Sequence, residues 1–137
     1  MAHELVNLNI KGQIVITFKK DGVPLKYSLI ENEVVTNALM ILVRCIGGQS
    51  TYAIDGIQAY KAGVLLAEAE YFTFSYTPLN QAVFTAIFSP TSFGDTLDEL
   101  RLISSTGGIF SKVEDLSIEK ISGVELALSW KLTLNFE

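Results

Sequence analysis

The side chains that most often carry out catalysis or bind metals are few in this sequence. His3 is the only histidine and Cys45 the only cysteine, and Cys45 lies inside an apolar run. A Ser-His-Asp triad needs a histidine, and zinc sites usually draw on several His or Cys ligands. The sequence therefore predicts no such active site, no metal and no cofactor, and we interpret Cys45 as a small buried hydrophobic residue.

Pairs of acidic residues are the remaining candidates for chemistry. Two nearby carboxylates serve as acid and base in glycosidases and also bind calcium. Asp98 and Glu99 form one such pair, and a hydrolase that uses either residue as an acid is an alternative hypothesis. The other pairs are Glu31 with Glu33 and Glu114 with Asp115. Such pairs are more typical of solvated turn ends, so we expect a protein that is not an enzyme.

Charge and composition argue against several classes of partner. The 137 residues carry a net charge of −5, and the basic residues are scattered along the chain. Binding to a nucleic-acid backbone needs clustered basic residues, so nucleic acid is not an expected partner. The most apolar segment, Ala38 to Ile46, is far shorter than the roughly 20 residues that cross a bilayer. The first residues also lack the features of a signal peptide, so we expect synthesis in a cytoplasm and no membrane association.

The C-terminal residues show the clearest structural signal. From Val124 to Phe136 every even-numbered residue is apolar, and the odd-numbered residues are small, polar or charged. This period of two predicts a β-strand with one face on a core and one face in water. At about 3.3 Å per residue the strand is roughly 40 Å long, so it either curves along a whole sandwich or reaches past its own domain. A terminal strand frays unless it is held on both sides, so this strand needs neighbours.

The N-terminal residues predict a hairpin around Asp21-Gly22, a pair that suits a two-residue turn with positive φ at both positions. Pro24 cannot donate a backbone hydrogen bond and therefore predicts a sheet edge. Lys11-Gly12 fits either a tight turn or a kink in one long strand. The turn pairs apolar residues on a single face, which are Ile14 with Leu29, Ile16 with Tyr27 and Phe18 with Leu25.

A short helix is predicted from Ala38 to about Ile46, capped by Thr36 or Asn37 and ended by Gly47-Gly48. Its residues are apolar on every side except at Arg44. A helix of this kind is covered on several sides. It is therefore either buried between sheets or part of a subunit contact.

Further strand signals complete the predicted fold. Tyr52 and Ile54, then Ile57 and Ala59, alternate with a change of phase at Asp55-Gly56 that a β-bulge would produce. A two-residue turn at Gly107-Gly108 places Leu102 opposite Val113 and Arg101 opposite Glu114. Strands at short spacing without βαβ alternation predict a mainly β protein. We expect an antiparallel β-sandwich or jelly-roll-like single domain over residues 1–137, with one short buried helix.

The aromatic residues allow two interpretations. Core packing is predicted for the even-numbered rings, which are Phe72, Phe74, Tyr76, Phe84 and Phe88. Tyr71 lies on the opposite face, where it is available to stack on a sugar ring or on a neighbouring subunit. A carbohydrate-binding or receptor-binding module is therefore an alternative function. Its candidate rings are Tyr52, Tyr60, Tyr71 and Phe93.

Several short motifs follow one another in a defined order. They are Val35-Thr36-Asn37 before the apolar helix, Tyr52-Ala53-Ile54-Asp55-Gly56-Ile57, Glu99-Leu100-Arg101-Leu102, Gly107-Gly108 with Ile109-Phe110-Ser111, Lys120, and Leu128-Ser129-Trp130-Lys131-Leu132. In that order they resemble a widespread group of tailed-bacteriophage virion proteins, over about residues 28–137. Arg101 departs from the family pattern, which more often has Gly there, and residues 1–27 resemble an added hairpin.

The resemblance implies a structural subunit of the head, neck, tail or fibre base that catalyses nothing. Such a subunit assembles as a ring or trimer with other virion proteins, and its location is the virion after synthesis in the host cytoplasm. The apolar helix and the long last strand independently favour association with other subunits. Our candidate interface residues are Leu39, Met40, Leu42, Val43, Tyr71 and Trp130.

Overall fold

The computed structural model describes residues 8–20, 23–34, 37–77 and 80–136. In chain order the elements are β1 (Leu8–Lys20), β2 (Val23–Val34), α1 (Asn37–Ile46), a 3₁₀ turn (Ser50–Tyr52), β3 (Gly56–Lys61), β4 (Val64–Glu68), β5 (Tyr71–Thr77), β6 (Gln81–Phe88), β7 (Asp95–Leu97), β8 (Glu99–Ser104), β9 (Gly108–Val113), β10 (Ile118–Lys120) and β11 (Glu125–Phe136). The described chain is mainly β-structure with one α-helix, as the sequence predicts.

Nine strands form one antiparallel sheet in the order β4-β3-β8-β9-β2-β1-β11-β6-β5, while β7 and β10 form a separate pair. Only two residues of β2 pair with β9, because Glu33 lies opposite Lys112 and Val34 opposite Ser111. This short junction divides the sheet into two parts, and the apolar residues of both parts belong to one core. The predicted antiparallel β-sandwich-like single domain is therefore confirmed.

The last strand, β11, lies in the interior of the sheet. It pairs with β1 along its whole length and with β6 from Leu126 to Thr133. Its even-numbered residues from Leu126 to Leu132 are buried, and the odd-numbered residues between them are half-buried. The predicted alternation is confirmed, and the two neighbouring strands supply the support that a terminal strand requires.

The hairpin of β1 and β2 follows the predicted register only next to its turn. Lys19 lies opposite Pro24 as predicted, but a β-bulge between Phe18 and Lys19 then shifts the pairing by one residue. Phe18 therefore lies opposite Lys26, not Leu25, so this part of the prediction is wrong; Ile16 and Ile14 are likewise displaced onto Ser28 and Ile30. The bulge is adjacent to Pro24, which has no N–H for a regular ladder. Asp21-Gly22 lies outside the described residues.

In the same hairpin, the sequence left the conformation at Lys11-Gly12 open and predicted a sheet edge at Pro24. β1 continues without interruption through Lys11-Gly12, so this pair is not a turn. Among the described residues, only Glu33 and Val34 join β2 to a strand on its other side, so Pro24 lies on an unpaired edge as predicted. The predicted added hairpin supplies a strand, β1, that lies between β2 and β11 and contributes Ile14 and Ile16 to the core.

The turn between β8 and β9 is longer than predicted. Leu100 lies opposite Val113 and Arg101 opposite Lys112, with a register shift between Leu102 and Ile103. The predicted pairs of Leu102 with Val113 and of Arg101 with Glu114 are therefore wrong. The longer turn is held by hydrogen bonds that the pattern of apolar residues does not reveal. The N–H of Gly107 donates to Ser104 Oγ at 3.0 Å, and the N–H of Ser105 donates to Asp55 Oδ1 at 2.9 Å.

The segment before β3 is not a strand. Tyr52 ends the 3₁₀ turn and Ile54 lies in irregular backbone, so the strand predicted there is wrong. The apolar pattern changes phase at Asp55-Gly56 because β3 begins at Gly56. The N–H of Asp55 donates to the carbonyl of Ile103 at 2.9 Å, which fixes this segment to β8.

The helix α1 packs on one side only. It contacts β9 and the 3₁₀ turn, and a Cβ atom at Gly107 would lie 2.8 Å from Cγ1 of Ile41, so helix and turn approach closely. Ala38 and Ile41 are buried, whereas most of the helix is exposed, and Cys45 is among the exposed residues, so its interpretation as a buried residue is wrong. The prediction of a buried helix is therefore wrong for most of its surface, because no described element covers its other side. The helix ends at Gly47-Gly48 as predicted, and Gly48 has a φ of 87°.

The side chain of Asn37 fixes the start of the helix to the β8–β9 turn. Asn37 Nδ2 donates to the carbonyl oxygen of Gly107 at 2.7 Å and to that of Ile109 at 3.1 Å. Gly107 and Ile109 lie 70 and 72 residues after Asn37 in the sequence, so the contact is tertiary. The amide is thus a donor to the turn, a role that is separate from capping the helix.

We predict that Asn37→Ala lowers the free energy of unfolding by about 1–3 kcal/mol, because two part-buried carbonyls lose their donor. Asn37→Asp is the matched variant, since aspartate caps a helix as well as asparagine does but offers no N–H to the carbonyls. We expect Asn37→Asp to be at least as destabilised as Asn37→Ala in urea unfolding. Full stability of Asn37→Asp would show that capping, and not the bond to the turn, is what Asn37 provides.

Candidate functional site

An exposed apolar stripe follows one side of α1. Leu39, Met40, Val43 and Ile46 form it, and Ile46 is 85% exposed. Residues spaced by three and four positions share one helical face. We call these four residues the helix stripe. Beside it lies a shallow depression of about 460 Å³, whose lining is Leu39, Met40, Val43, Arg44, Gly47 and Gln49.

The helix stripe is presented by the packing of the opposite side of the helix. Ala38 and Ile41 point into the core, and the half-buried Leu42 packs against it. The guanidinium of Arg44 lies over the ring of Tyr52, 5.8 Å from the centroid. Together with the bonds from Asn37, these contacts fix the rotation of the helix about its axis. The stripe is therefore held outward by the fold.

Four of the six predicted interface residues are exposed. Leu39, Met40 and Val43 lie together on the helix stripe, and Tyr71 lies on β5, on a different element. Leu42 is half-buried against the core, so it belongs to the inner side of the helix. The sequence did not identify Ile46 as an interface residue, although its spacing from Val43 and Leu39 was a usable signal.

Trp130 is a core residue, and its prediction as an interface residue is wrong. It has no exposed surface, because its side chain lies between Ile14 on β1 and Phe84 on β6 in the interior of the sheet. Its indole Nε1 has no hydrogen-bond partner among the described residues. Burial of the large ring therefore outweighs the cost of an unpaired N–H.

A second apolar surface lies on β5, the last strand of the nine-stranded sheet. Phe74 and Tyr76 were predicted to be in the core, but they are 58% and 74% exposed, so that prediction is wrong. Their rings contact each other edge to face with centroids 5.6 Å apart. Phe72 is half-buried and stacks on Phe84. The aromatic face is exposed because β5 has a neighbouring strand on one side only.

The acidic residues singled out for catalysis have structural partners. The N–H of Ala62 donates to Asp98 Oδ2 at 2.8 Å, which supports the β3–β4 turn where Ala62 has a φ of 48°. Glu99 pairs with Arg101, whose guanidinium also lies 3.8 Å from the ring centroid of Tyr60. The hydrogen bond and charge of Glu99 raise the pKa of Arg101. The two carboxylates therefore stabilise a turn and a strand face.

Across residues 8–20, 23–34, 37–77 and 80–136, the His, Cys, Asp and Glu side chains form no group of three or more able to hold a metal ion. Within these same ranges no helix is long and apolar enough to span a membrane.

Lys120 carries a charge and is buried, with 1% of its surface exposed. Its Nζ donates to the carbonyl oxygen of Phe93 at 2.7 Å and lies 3.5 Å from that of Pro90. It also lies 5.0 Å from the ring centroid of Phe93. Burial lowers the pKa of Lys120, and the charge of Glu70 opposes this change. The ammonium group thus fastens the loop between β6 and β7 to β10, a role that the sequence does not reveal.

We predict an unusual pH dependence of stability from Lys120. Because its pKa is lowered from 10.5 in the folded protein, protonation favours the unfolded chain, and this penalty disappears as the pH rises toward 10.5. The free energy of unfolding of the wild type, minus that of Lys120→Met, should therefore increase between pH 7 and pH 10. The full increase, which is reached above pH 10.5, is about 1.4 kcal/mol for each unit by which the pKa is lowered.

Lys61→Met is the control for this measurement. Lys61 is exposed and bonds Asp95 at 2.8 Å, and this hydrogen bond raises the pKa of Lys61. Its contribution is fully present below the ordinary lysine pKa of 10.5 and is lost only above that pH, so the wild type minus Lys61→Met should stay nearly constant between pH 7 and pH 10. Parallel trends for the two lysines would contradict the assignment of Lys120 as a desolvated group.

Comparisons of the chain with protein-family models, with curated proteins and with solved structures yield no match. The function must therefore be inferred from the surfaces and residues of the chain itself.

Proposed function

We propose that the protein is a non-enzymatic structural subunit of a phage particle, in the head, neck, tail or fibre base. It acts through homo-oligomerisation and through binding to other virion proteins. The observation that carries the proposal is the helix stripe, in which Leu39, Met40, Val43 and Ile46 are exposed together. Single exposed apolar residues are ordinary, but a contiguous apolar face usually marks a contact with another molecule.

The composition of the helix stripe suits a protein partner. Its four side chains are large and aliphatic or thioether-containing, and only Arg44 and Gln49 add polar groups at the adjoining depression. Burial of apolar area contributes about 25 cal/mol per Å², so covering these four residues yields several kcal/mol. Another subunit of the same or a different kind is the partner that such a surface fits.

The motifs that resemble phage virion proteins also contact one another. Asn37, at the end of the Val35-Thr36-Asn37 motif, donates to the carbonyl of Gly107 in the Gly107-Gly108 motif. Leu100, Phe110 and Trp130, which belong to three of the motifs, lie in one core. The resemblance therefore concerns one packed unit, which supports a shared architecture.

The bonds that Asp98 and Glu99 form within the fold support a role without catalysis. Asp98 accepts a hydrogen bond from a turn and Glu99 is paired with Arg101. A general acid needs a carboxyl group that is available to its substrate. These bonds make the hydrolase hypothesis the less favoured one.

We predict that Val43→Asp breaks the contact made by the helix stripe, lowers the mass of the homo-oligomer and removes the subunit from purified particles. A carboxylate in the middle of the helix stripe must lose its hydration when the stripe is covered, and the lost apolar contact adds about 1.5–3 kcal/mol. Light scattering coupled to size exclusion measures the mass, and density-gradient sedimentation measures incorporation into particles.

Val64→Asp is the matched control, because Val43 and Val64 are equally exposed at 66% and Val64 lies on β4. We expect it to assemble like the wild type. Circular dichroism verifies that both variants are folded. A wild-type protein that stays monomeric at high concentration and does not bind particles would refute the proposal.

A carbohydrate-binding module is the second candidate, and the exposure of Tyr71 supports it. Tyr71, Thr73 and Ser75 are exposed on one face of β5, and Thr73 lies opposite the exposed Thr85 of β6. An exposed ring beside hydroxyl groups suits the stacking of a sugar. The other candidate rings are less available, because Tyr52, Tyr60 and Phe93 are half-buried beside Arg44, Arg101 and Lys120.

If this second function holds, Tyr71→Ala should weaken retention on an array of bacterial surface glycans several-fold, since one stacked ring contributes on the order of 1 kcal/mol. Tyr76→Ala removes an exposed ring from the other face of the same strand and should leave glycan binding unchanged. Equal losses in both variants, or the absence of binding by the wild type, would exclude a glycan site at Tyr71.

A further inference from the structure

We infer that β5 pairs antiparallel with β5 of a second copy of the chain, so that two nine-stranded sheets become one continuous sheet. This inference rests on the proposed homo-oligomerisation and names a surface and partner for it. The contact is a backbone ladder at a sheet edge, and it is separate from the helix stripe. In this arrangement the pairing of the two copies is centred on Phe74, the middle residue of Tyr71–Thr77, which lies opposite Phe74 of the second copy.

The edge formed by β5 lacks the features that normally prevent strand pairing. Natural edges are protected by charged residues, proline, bulges, short length or a covering element. The seven residues of β5 include no charge and no proline, and their pairing with β6 is regular from Tyr71 to Thr77. No strand on its outer side is described within residues 8–20, 23–34, 37–77 and 80–136.

The opposite edge of the sheet, β4, is protected by comparison. It has five residues, carries Glu68 at its end and is disturbed by a register shift between Ala59 and Tyr60 of β3. Both edges belong to one protein, so their difference indicates a specific use of β5. Solubility alone would favour protection of both edges.

The sequence of β5 is complementary to itself in one antiparallel register. With Phe74 opposite Phe74 of the second copy, Phe72 lies opposite Tyr76, and all six rings share one face. Thr73 then lies opposite Ser75 on the other face, a favourable hydroxyl pair. A shift by one residue would move the rings of one copy to the face that holds Thr and Ser in the other. A shift by two keeps the faces but shortens the ladder.

Charge and area also favour a second copy as the partner. Each chain has a net charge of −5, and because β5 itself carries no charge, pairing through β5 adds no local charge repulsion at the contact. Tyr71, Phe74 and Tyr76 are each more than half exposed. At roughly 150–250 Å² per ring they offer about 400 Å² per copy. With the backbone edges added, full coverage of these rings would bury at most about 1,000 Å², which is the lower limit for a specific interface.

Site-directed disulfides test both the partner and the register. All variants carry Cys45→Ser, because Cys45 is exposed and would cross-link on its own. Directly opposite Cα atoms are about 4.5–5.5 Å apart, within disulfide range, so Phe74→Cys should give a covalent dimer under mild oxidation by diamide. Thr73→Cys and Ser75→Cys should not do so alone, since identical residues are then roughly 8 Å apart.

A mixture of Thr73→Cys and Ser75→Cys is the decisive sample. These residues lie opposite each other in the inferred register, so the mixture should give on the order of tenfold more covalent dimer than either variant alone. Cross-linking at all three positions alike, or at none of them, overturns the inference. Thr73 and Ser75 are exposed, so folding is not at risk in these variants.

Light scattering on the same samples separates this inference from the proposed function. If the chains associate without cross-linking at Phe74, pairing through β5 is excluded and homo-oligomerisation through the helix stripe stands. If the chain is monomeric at every concentration and does not cross-link, both are excluded. Cross-linking in the predicted pattern together with association supports both.

Discussion

The ladder that holds β11 between β1 and β6 is the interaction on which the rest of this fold depends. It joins the strand at one end of the described chain to the strand at the other, with paired residues from Leu8 opposite Phe136 to Lys19 opposite Glu125. The apolar face of β11 supplies Leu126, Leu128, Trp130 and Leu132 to the core. Because this strand is anchored on both sides, its buried side chains are placed by backbone pairing as well as by packing.

Placing the first and last strands in the interior leaves the middle of the chain to form the sheet edges. β4 and β5 are the two outermost strands, and only Ala69 and Glu70 connect them. This link bridges the two parts of the sheet, because the N–H of Ala69 donates to Ile57 on β3 and that of Glu70 to Ile87 on β6. The surfaces available to partners, α1 and the edge at β5, therefore come from residues 37–77, while β1 and β11 contribute to the core.

The sequence is informative about strand faces and much less so about strand neighbours. Phe74 and Phe84 have the same parity and lie directly opposite each other, yet Phe84 is 7% exposed and Phe74 is 58% exposed. The difference arises because β6 is an interior strand and β5 is an edge, which the apolar period does not encode. The predicted registers of the β1–β2 and β8–β9 hairpins were wrong for a related reason. The bulges at Phe18/Lys19 and at Leu102/Ile103 each insert one residue, and local pattern does not determine where a ladder is interrupted. The helix was predicted correctly, but its exposed side depends on which neighbours cover it.

The two proposed contacts are pairing through β5 and a contact through the helix stripe. Their symmetry explains why a subunit that assembles into rings or trimers would need both. Antiparallel pairing of β5 with itself is isologous, so it closes after two copies and cannot by itself build a ring or a trimer. The helix stripe presents aliphatic side chains and no backbone edge, so it does not impose the two-fold register that strand pairing imposes. It is free to meet a different surface of the next subunit, and such a heterologous contact generates rings when the rotation closes. A particle built from rings joined in pairs would then use the helix stripe within a ring and β5 between two rings.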